Sequence, residues 1–340
     1  MIARSKAPLR IGLAGGGTDV SPYCDLYGGA ILNAPISMYS YATIEPRNDG
    51  KIVLDARDRG ERFELEATEQ LEINGELDLA KGVYNRLVRD YTKKPFAFTL
   101  TTFSDAPPGS GLGTSSTMMV AILGAFVEYL NLPFGEYDIA HLAFEIERMD
   151  LDMAGGRQDQ YAATFGGVNF MEFFDNDKVI VNPLRIRSTY LNELSHNLIL
   201  YYTETSRKSA DIIVSQSKNV NEKKQDSIEA MHNLKEQALQ MKESILKGDL
   251  DDIGRILDFG WQNKKKMAKG ITNPLIDDIY QSAIDAGATG GKISGAGGGG
   301  FMIFYAPGVK RFDVIEALNT FGGRAMRYQF TKIGLTTWTI

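Results

Sequence analysis

Three short stretches concentrate the glycine of this chain: GLAGGG at 12–17, GSGLG at 109–113 and GGKISGAGGGG at 290–300. Clustered glycine marks backbone that approaches a ligand or turns tightly, not a flexible linker. The middle cluster constrains the fold most. PPGSGLGTSS (107–116) runs straight into TMMVAILGAFVEYL, so a glycine loop opens an apolar helix. Free N–H groups and the positive end of a helix then face one point, which is a natural cradle for an anion.

The common phosphate loops do not explain it. A Walker A loop needs G-x-x-x-x-G-K-[ST], but Lys292 of GATGGKIS is followed by Ile293. A dinucleotide fingerprint needs a third glycine where Thr114 stands. The protein-kinase HRD element is missing too. Pro107 and Pro108 stiffen the entry, and Gly109, Gly111 and Gly113 let N–H groups converge. Of the hydroxyls of Thr114, Ser115 and Ser116, one suffices to cap the helix and another is free to ligate Mg²⁺.

The rest of the composition narrows the function class. The net charge of −6 argues against nucleic-acid or anionic-membrane partners, so any anion is caught locally. One cysteine, Cys24, allows no intrachain disulfide and reads as a small buried filler. His141, His196 and His232 match no metal spacing. The start, MIARSKAPLRIGLAGGG, lacks a long apolar run, and no stretch reaches membrane-spanning length. A cytoplasmic protein is expected, and a homodimer is allowed without being required.

Strands are expected at 9–14, 29–45, 51–56 and 95–102, with helices at 78–92, 115–130 and 136–149. A short helix lies between the glycine pairs of 155–167, and the turn DNDK separates two further strands. A strand at 197–203 precedes a long charge-mixed helical stretch over 207–268, read as a solvated face. Helix 274–286, a strand after the third glycine cluster, a helix near 309–322 and one last strand over 323–334 complete the pattern. It suits mixed α and β layers in two domains, 1–188 and 189–340, not an eightfold barrel.

Three carboxylates stand where chemistry would need them, each with a plainer alternative. Asp159 lies between glycine pairs and suits either phosphoryl transfer or a helix N-cap. Glu147, on a helix with one apolar side, suits a metal or a salt bridge. Asp19 follows three glycines and suits a ligand or a turn.

Taken together, KAPLRIGLAGGGTD (6–19), PPGSGLGTSS (107–116) and KISGAGGGG (292–300) resemble, in order and spacing, the three motifs of the GHMP kinase superfamily. The resemblance covers nearly the whole chain. It implies an α+β fold of two domains: an N-terminal α/β domain with a left-handed crossover and a C-terminal ferredoxin-like domain, with the site between them. It implies ATP and Mg²⁺. The loop Pro108, Gly109, Ser110, Gly111, Leu112, Gly113, Thr114, Ser115 and Ser116 would wrap the ATP phosphates, and Ser115 and Glu147 would bind the metal. Asp159 would be the catalytic aspartate, kept ionised by Arg10. Gly16, Gly17, Thr18, Asp19 and Gly297 would meet the sugar. Gly16 and Gly17 replace the Glu-His pair of galactokinases, and AGGGTD most resembles the branch of heptose-phosphate kinases, with fucokinases next. The implied partner is a small sugar phosphate, whose phosphate needs a basic clamp from among Arg4, Lys6, Arg157, Arg207 and Lys208.

Overall fold

Two sheets organise the chain, whose computed structural model describes residues 1–205 and 209–340. The first sheet is built on two long antiparallel strands, β1 (Ala3–Ala14) and β2 (Gly29–Pro46). β1 starts well before residue 9 because Ala3, Ser5 and Ala7 also face inward, and such small residues carry little apolar signal. A short helix, α1 (Tyr23–Tyr27), fills the connection from β1 to β2. β3 (Lys51–Ala56), β4 (Glu61–Glu66) and β5 (Phe98–Ser104) extend the sheet in the order β2-β5-β3-β4. β3 and β5 are parallel, and α2 (Asp78–Leu87) crosses between them. β6 (Asn169–Phe173) joins the first half of β2 and carries β7 (Val179–Pro183) outside it.

Three helices pack around the centre of that sheet: α3 (Thr114–Leu130), α4 (Glu136–Glu145) and α5 (Gln158–Phe165). α3 is apolar nearly all round and buried on most sides; Gly113 opens it and Asn131 closes it, both left-handed. α2 and α4 do not run straight on to 92 and 149. Each ends in a wider π-helical turn, at Val88–Thr92 and Ile146–Asp150.

After α6 (Ser188–Asn197) the second sheet begins with β8 (Leu198–Tyr202). The long stretch expected as one helical run is three helices: α7 (Ser209–Asn221), α8 (Gln225–Lys247) and α9 (Ile253–Met267). Gly248, in the left-handed conformation, ends α8. α10 (Pro274–Asp285) starts where Asn273 accepts the Ile276 N–H and proline takes the first helical position. β9 (Gly290–Ile293), β10 (Phe301–Tyr305), α11 (Lys310–Leu318) and β11 (Arg324–Met326) follow. The antiparallel order β11-β8-β10-β9 and the β-α-β-β-α-β succession are ferredoxin-like.

The end of the chain differs from the single strand expected over 323–334. β11 is three residues long, and the chain then crosses back to the first sheet, where Ile36 bridges Phe330 and β12 (Thr336–Thr339) pairs with β1. A division at 188/189 is our proposal for the two halves; it falls at the start of α6 and leaves this returning segment on the first sheet. No helix among the described residues is long and apolar enough to cross a membrane.

One core fills the space between the sheet and α2, α3 and α4, with Tyr84, Phe98 and Phe126 at its centre. A second joins the halves: Leu9, Ile11 and Leu32 pack with Met241, Leu257 and Phe301. The glycine clusters meet where the halves join. Phe301 N–H donates to Ser110 O at 2.8 Å, and the Ser294 hydroxyl donates to Gly111 O at 2.8 Å. A Cβ on Gly111 would lie 2.5 Å from Ser294 O, so no side chain fits between these loops.

That close approach yields a stability comparison. Gly50 and Gly111 both have positive φ, but only Gly111 faces another backbone. Gly50→Ala should cost about 1–2 kcal/mol through strain alone. Gly111→Ala should cost about 1–3 kcal/mol more through the clash, read from the midpoints of urea unfolding.

Candidate functional site

A cavity of about 550 Å³ opens between the three glycine loops. Arg10 reaches it from β1, almost fully buried. Its Nε and Nη2 both donate to Asp159 Oδ1 at 2.7 Å, and Nη1 donates to Gly111 O at 2.6 Å. Its own backbone N–H donates to Leu112 O. Asp159 sits in the first turn of α5, where the N-cap reading would have it serve the helix. That duty falls to Asp19 instead. Asp19 Oδ2 accepts the N–H groups of Arg157 at 2.9 Å and Gln158 at 3.1 Å, and Oδ1 accepts the Gln158 side chain at 3.4 Å. A negative charge is stabilised there by the helix end. Asp159 is thereby left to Arg10 and the cavity. Burial, and then the nearby Asp159 charge, push the Asp19 carboxyl above its usual range, against the lowering pull of the Gln158 N–H.

The second cluster is Ser115 and Glu147. Glu147 is delivered by the π-helical turn after α4 and is buried. Its Oε1 accepts the Ser115 hydroxyl at 3.2 Å and pairs with Arg148 at 3.2 Å; its Oε2 accepts the Gln160 amide at 2.7 Å. One carboxylate and one hydroxyl suit a hard cation whose remaining ligands are phosphate and water. No group of three His, Cys, Asp or Glu suited to a metal occurs among the described residues.

Loop two is divided in its duties. Pro108, Gly109, Gly111, Gly113, Thr114, Ser115 and Ser116 line the cavity. Ser110 does not: it is buried, its hydroxyl on Thr114 and its carbonyl on Phe301 N–H. Leu112 does not either, its side chain lying in the core between the halves. In the first loop Gly16, Gly17 and Asp19 line the cavity, but Thr18 is enclosed. Its hydroxyl shares its one proton between Gly15 O and Ala30 O and accepts the Ala30 N–H. Gly297 packs on Ile271 and shapes loop three from behind, whereas Gly295 and Ala296 face the cavity.

The basic residues considered as a clamp lie elsewhere. Arg157 is consumed by Asp25 at 2.8 Å, Asp177 at 2.9 Å and Phe174 O at 2.7 Å. Lys6 lies over the Tyr39 ring, and Arg4 is not among the residues lining the cavity. Arg207 and Lys208 fall outside the described residues. Two other lysines take the place. Lys264 of α9 donates to Gly295 O, and Lys292 of β9 donates to Gly12 O at 2.7 Å; both are buried and line the cavity. Burial first, then the charge of Arg10, lowers the Lys264 ammonium to about 8, with Asp19 opposing. Burial, then Lys264 and Arg10, holds Lys292 well below the lysine range. Lys264 had a signal in the sequence: Ile253, Leu257, Trp261, Lys264 and Met267 share one helical stripe, so one member of the KKK run had to point inward. Cys24 is buried and its thiol is pushed up to about 12, as suits an inert filler.

A second, largely apolar cavity of about 390 Å³ adjoins the first and shares Pro108, Thr114, Ser115 and Met153 with it. Leu54, Leu77, Leu100 and Ile122 are among its walls.

Residues 78–167 match the GHMP kinases N terminal domain, and residues 241–323 the GHMP kinases C terminal domain. The chain is 49% identical to D-glycero-alpha-D-manno-heptose 7-phosphate kinase of Campylobacter jejuni, over 99% of both chains. It is similar to the crystal structure of a D-glycero-D-manno-heptose 1-phosphate kinase from Bacteroides thetaiotaomicron, with TM-score 0.85 and 48% identity over 99% of both chains. To L-fucokinase/L-fucose-1-P guanylyltransferase of Bacteroides fragilis it is 25% identical, over 98% of this chain and 38% of that protein.

The buried Lys264 makes stability depend on pH in a defined direction. An unfolded lysine titrates near ~10.4, so above pH 8 the unfolded chain holds a proton that folded Lys264 has lost. Native stability from this group therefore rises with pH between the two values, by up to about 1.4 kcal/mol per pH unit. Lys264→Met lacks that gain. The Tm of the native protein relative to the variant should climb from pH 7.5 to 10, whereas a flat difference would mean no charged ammonium is buried there.

Proposed function

The chain belongs to the GHMP kinase family, and from that we propose that it transfers the ATP γ-phosphate to the anomeric hydroxyl of D-glycero-D-manno-heptose 7-phosphate, giving the 1,7-bisphosphate. That it is a phosphotransferase acting on a hydroxyl group follows from the family itself. The acceptor rests on one observation, the 49% identity over 99% of both chains to a heptose 7-phosphate kinase. The two heptose kinases that resemble it differ by name in where the acceptor's phosphate stands, at position 7 or position 1. Transfer to the anomeric hydroxyl needs position 1 free, which selects the 7-phosphate.

The residues divide the work as follows in this proposal. The N–H groups of Gly109, Gly111 and Gly113, at the start of α3, hold the ATP phosphates, and the adjoining apolar cavity takes the adenine. Ser115 and Glu147 hold Mg²⁺, which neutralises charge on the phosphates. Gly16, Gly17 and the free lone pairs of Asp19 Oδ1 meet sugar hydroxyls. Asp159, fixed by Arg10, orients the anomeric hydroxyl and takes its proton as the oxygen attacks the γ-phosphorus and ADP leaves. An anomeric hydroxyl is more acidic than other sugar hydroxyls, so one aspartate suffices.

Asp159→Asn should leave the KM for ATP near the native value and lower kcat by roughly 10²- to 10⁴-fold; native turnover in a steady-state assay would remove Asp159 from this role. Ser115→Ala and Glu147→Ala should each shift Mg²⁺ titrations of activity to higher concentration. Titrations that overlay the native curve would leave Glu147 a partner of Arg148 and Gln160 only. For the acceptor, kcat/KM is compared for heptose 7-phosphate, free heptose, fucose and galactose. The heptose 7-phosphate should lead, and a lead by fucose or a free hexose would overturn the acceptor while leaving the kinase in place.

A further inference from the structure

The charges that line the central cavity are unequally matched. Arg10 is met by Asp159 and Arg148 by Glu147. Asp19 gives its carboxylate to the first turn of α5. Lys264 and Lys292 remain. Each ammonium donates to one carbonyl, Gly295 O or Gly12 O, and neither has a carboxylate within 4.0 Å among the described residues. A lysine ammonium has three donors, so each keeps capacity for a ligand. Two cations held together in a buried wall are unfavourable without an anion between them.

Both lysines lie against loop one. A Cβ on Gly12 would lie 3.9 Å from Lys292 Nζ, and one on Gly16 would lie 3.9 Å from Lys264 Nζ. In chain order the contacts run Arg10 to Asp159, Gly12 to Lys292, Gly16 to Lys264. Two residues along a strand span about 7 Å, so the lysines step away from Asp159 along β1 toward the glycines of the first loop. The nucleotide phosphates already have the N–H groups of loop two and the Ser115–Glu147 pair. A phosphate monoester carries a charge of about −1.5 to −2 at neutral pH, and two ammonium groups match it.

We propose that Lys264 and Lys292 together seat the phosphate of the acceptor sugar and so select a phosphorylated over an unphosphorylated heptose. This rests on the sugar-phosphate acceptor argued above. The two lysines come from elements of the second half that pack on each other, α9 and β9, and both ammonium groups reach loop one. They do what Arg157, consumed by Asp25 and Asp177, is not free to do.

The test is steady-state kinetics of the native protein, Lys264→Met and Lys292→Met, with KM and kcat for ATP, heptose 7-phosphate and free heptose. Methionine keeps most of the apolar stem and removes the ammonium with its charge and its donors; if either variant fails to fold, Lys→Gln at that position is read the same way. Losing a charged hydrogen-bond donor to phosphate should lower the ratio of kcat/KM between phosphorylated and free heptose roughly 10- to 100-fold in each variant. The loss should lie mainly in KM for the phosphorylated sugar, with KM for ATP within about threefold of native. A native preference that survives in both variants overturns the lysines' role while the acceptor assignment stands. So does a loss shared equally by both sugars, or one carried by KM for ATP. A native protein with no preference for the phosphorylated sugar overturns the acceptor assignment and this inference with it.

Discussion

The pairing of Arg10 with Asp159 ties together three stretches of chain that are far apart in sequence. Arg10 belongs to β1, Asp159 to α5, and the same guanidinium also holds Gly111 O of loop two. Each partner is positioned by a second constraint. β1 is held between β2 and β12 in the first sheet, and α5 is capped from loop one by Asp19. Loop two is clamped against loop three by the Phe301 N–H on Ser110 O and the Ser294 hydroxyl on Gly111 O. A buried ion pair of this kind is weak evidence for stability, because desolvation offsets the attraction. Its value here is orientation: one carboxylate aimed into one cavity.

The cavity therefore gathers several groups that work against the fold. Two lysines are buried with carbonyls as their nearest partners, and Asp19 is pushed toward its neutral form. The compensating term is apolar. The core that joins the two halves is continuous, from Leu9 and Ile11 on β1 to Leu257 on α9 and Phe301 on β10. Burial of such side chains contributes about 1.5–3 kcal/mol each, enough to hold a strained polar site between two rigid walls. The returning segment adds to this, since Phe330 and β12 fasten the end of the second half onto the first sheet.

Irregular backbone delivers much of the chemistry. Glu147 and Arg148 stand on a π-helical turn, where one extra residue per turn swings a side chain off the regular stripe. That swing turns Glu147 to Ser115 and Gln160, in the buried interior. In loop two, by contrast, the side chains of Ser110 and Leu112 anchor the loop while the intervening glycines present backbone to the cavity.

Residue type and order by themselves determined the parts that rest on local chemistry. Glycine spacing marks the loops, the apolar run after Gly113 marks α3, and β-branched alternation marks β2 and β3. The family resemblance of those loops brought Arg10, Asp159, Ser115, Glu147 and Asp19 into one site, and all five line or face one cavity. What depends on long-range packing was out of reach. Nothing local shows that Asp19 caps a helix that starts at Gln158, or that Arg157 turns to Asp25 and Asp177 instead of a ligand. Thr18 and Gly297 sit inside the glycine motifs yet face away from the cavity, because Ala30 and Ile271 occupy the space beside them. Lys264 looked like one charge in a solvated run, and Lys292 like a failed phosphate loop. Only the tertiary structure placed both beside loop one, since an ammonium's environment is set by whatever other elements pack around it.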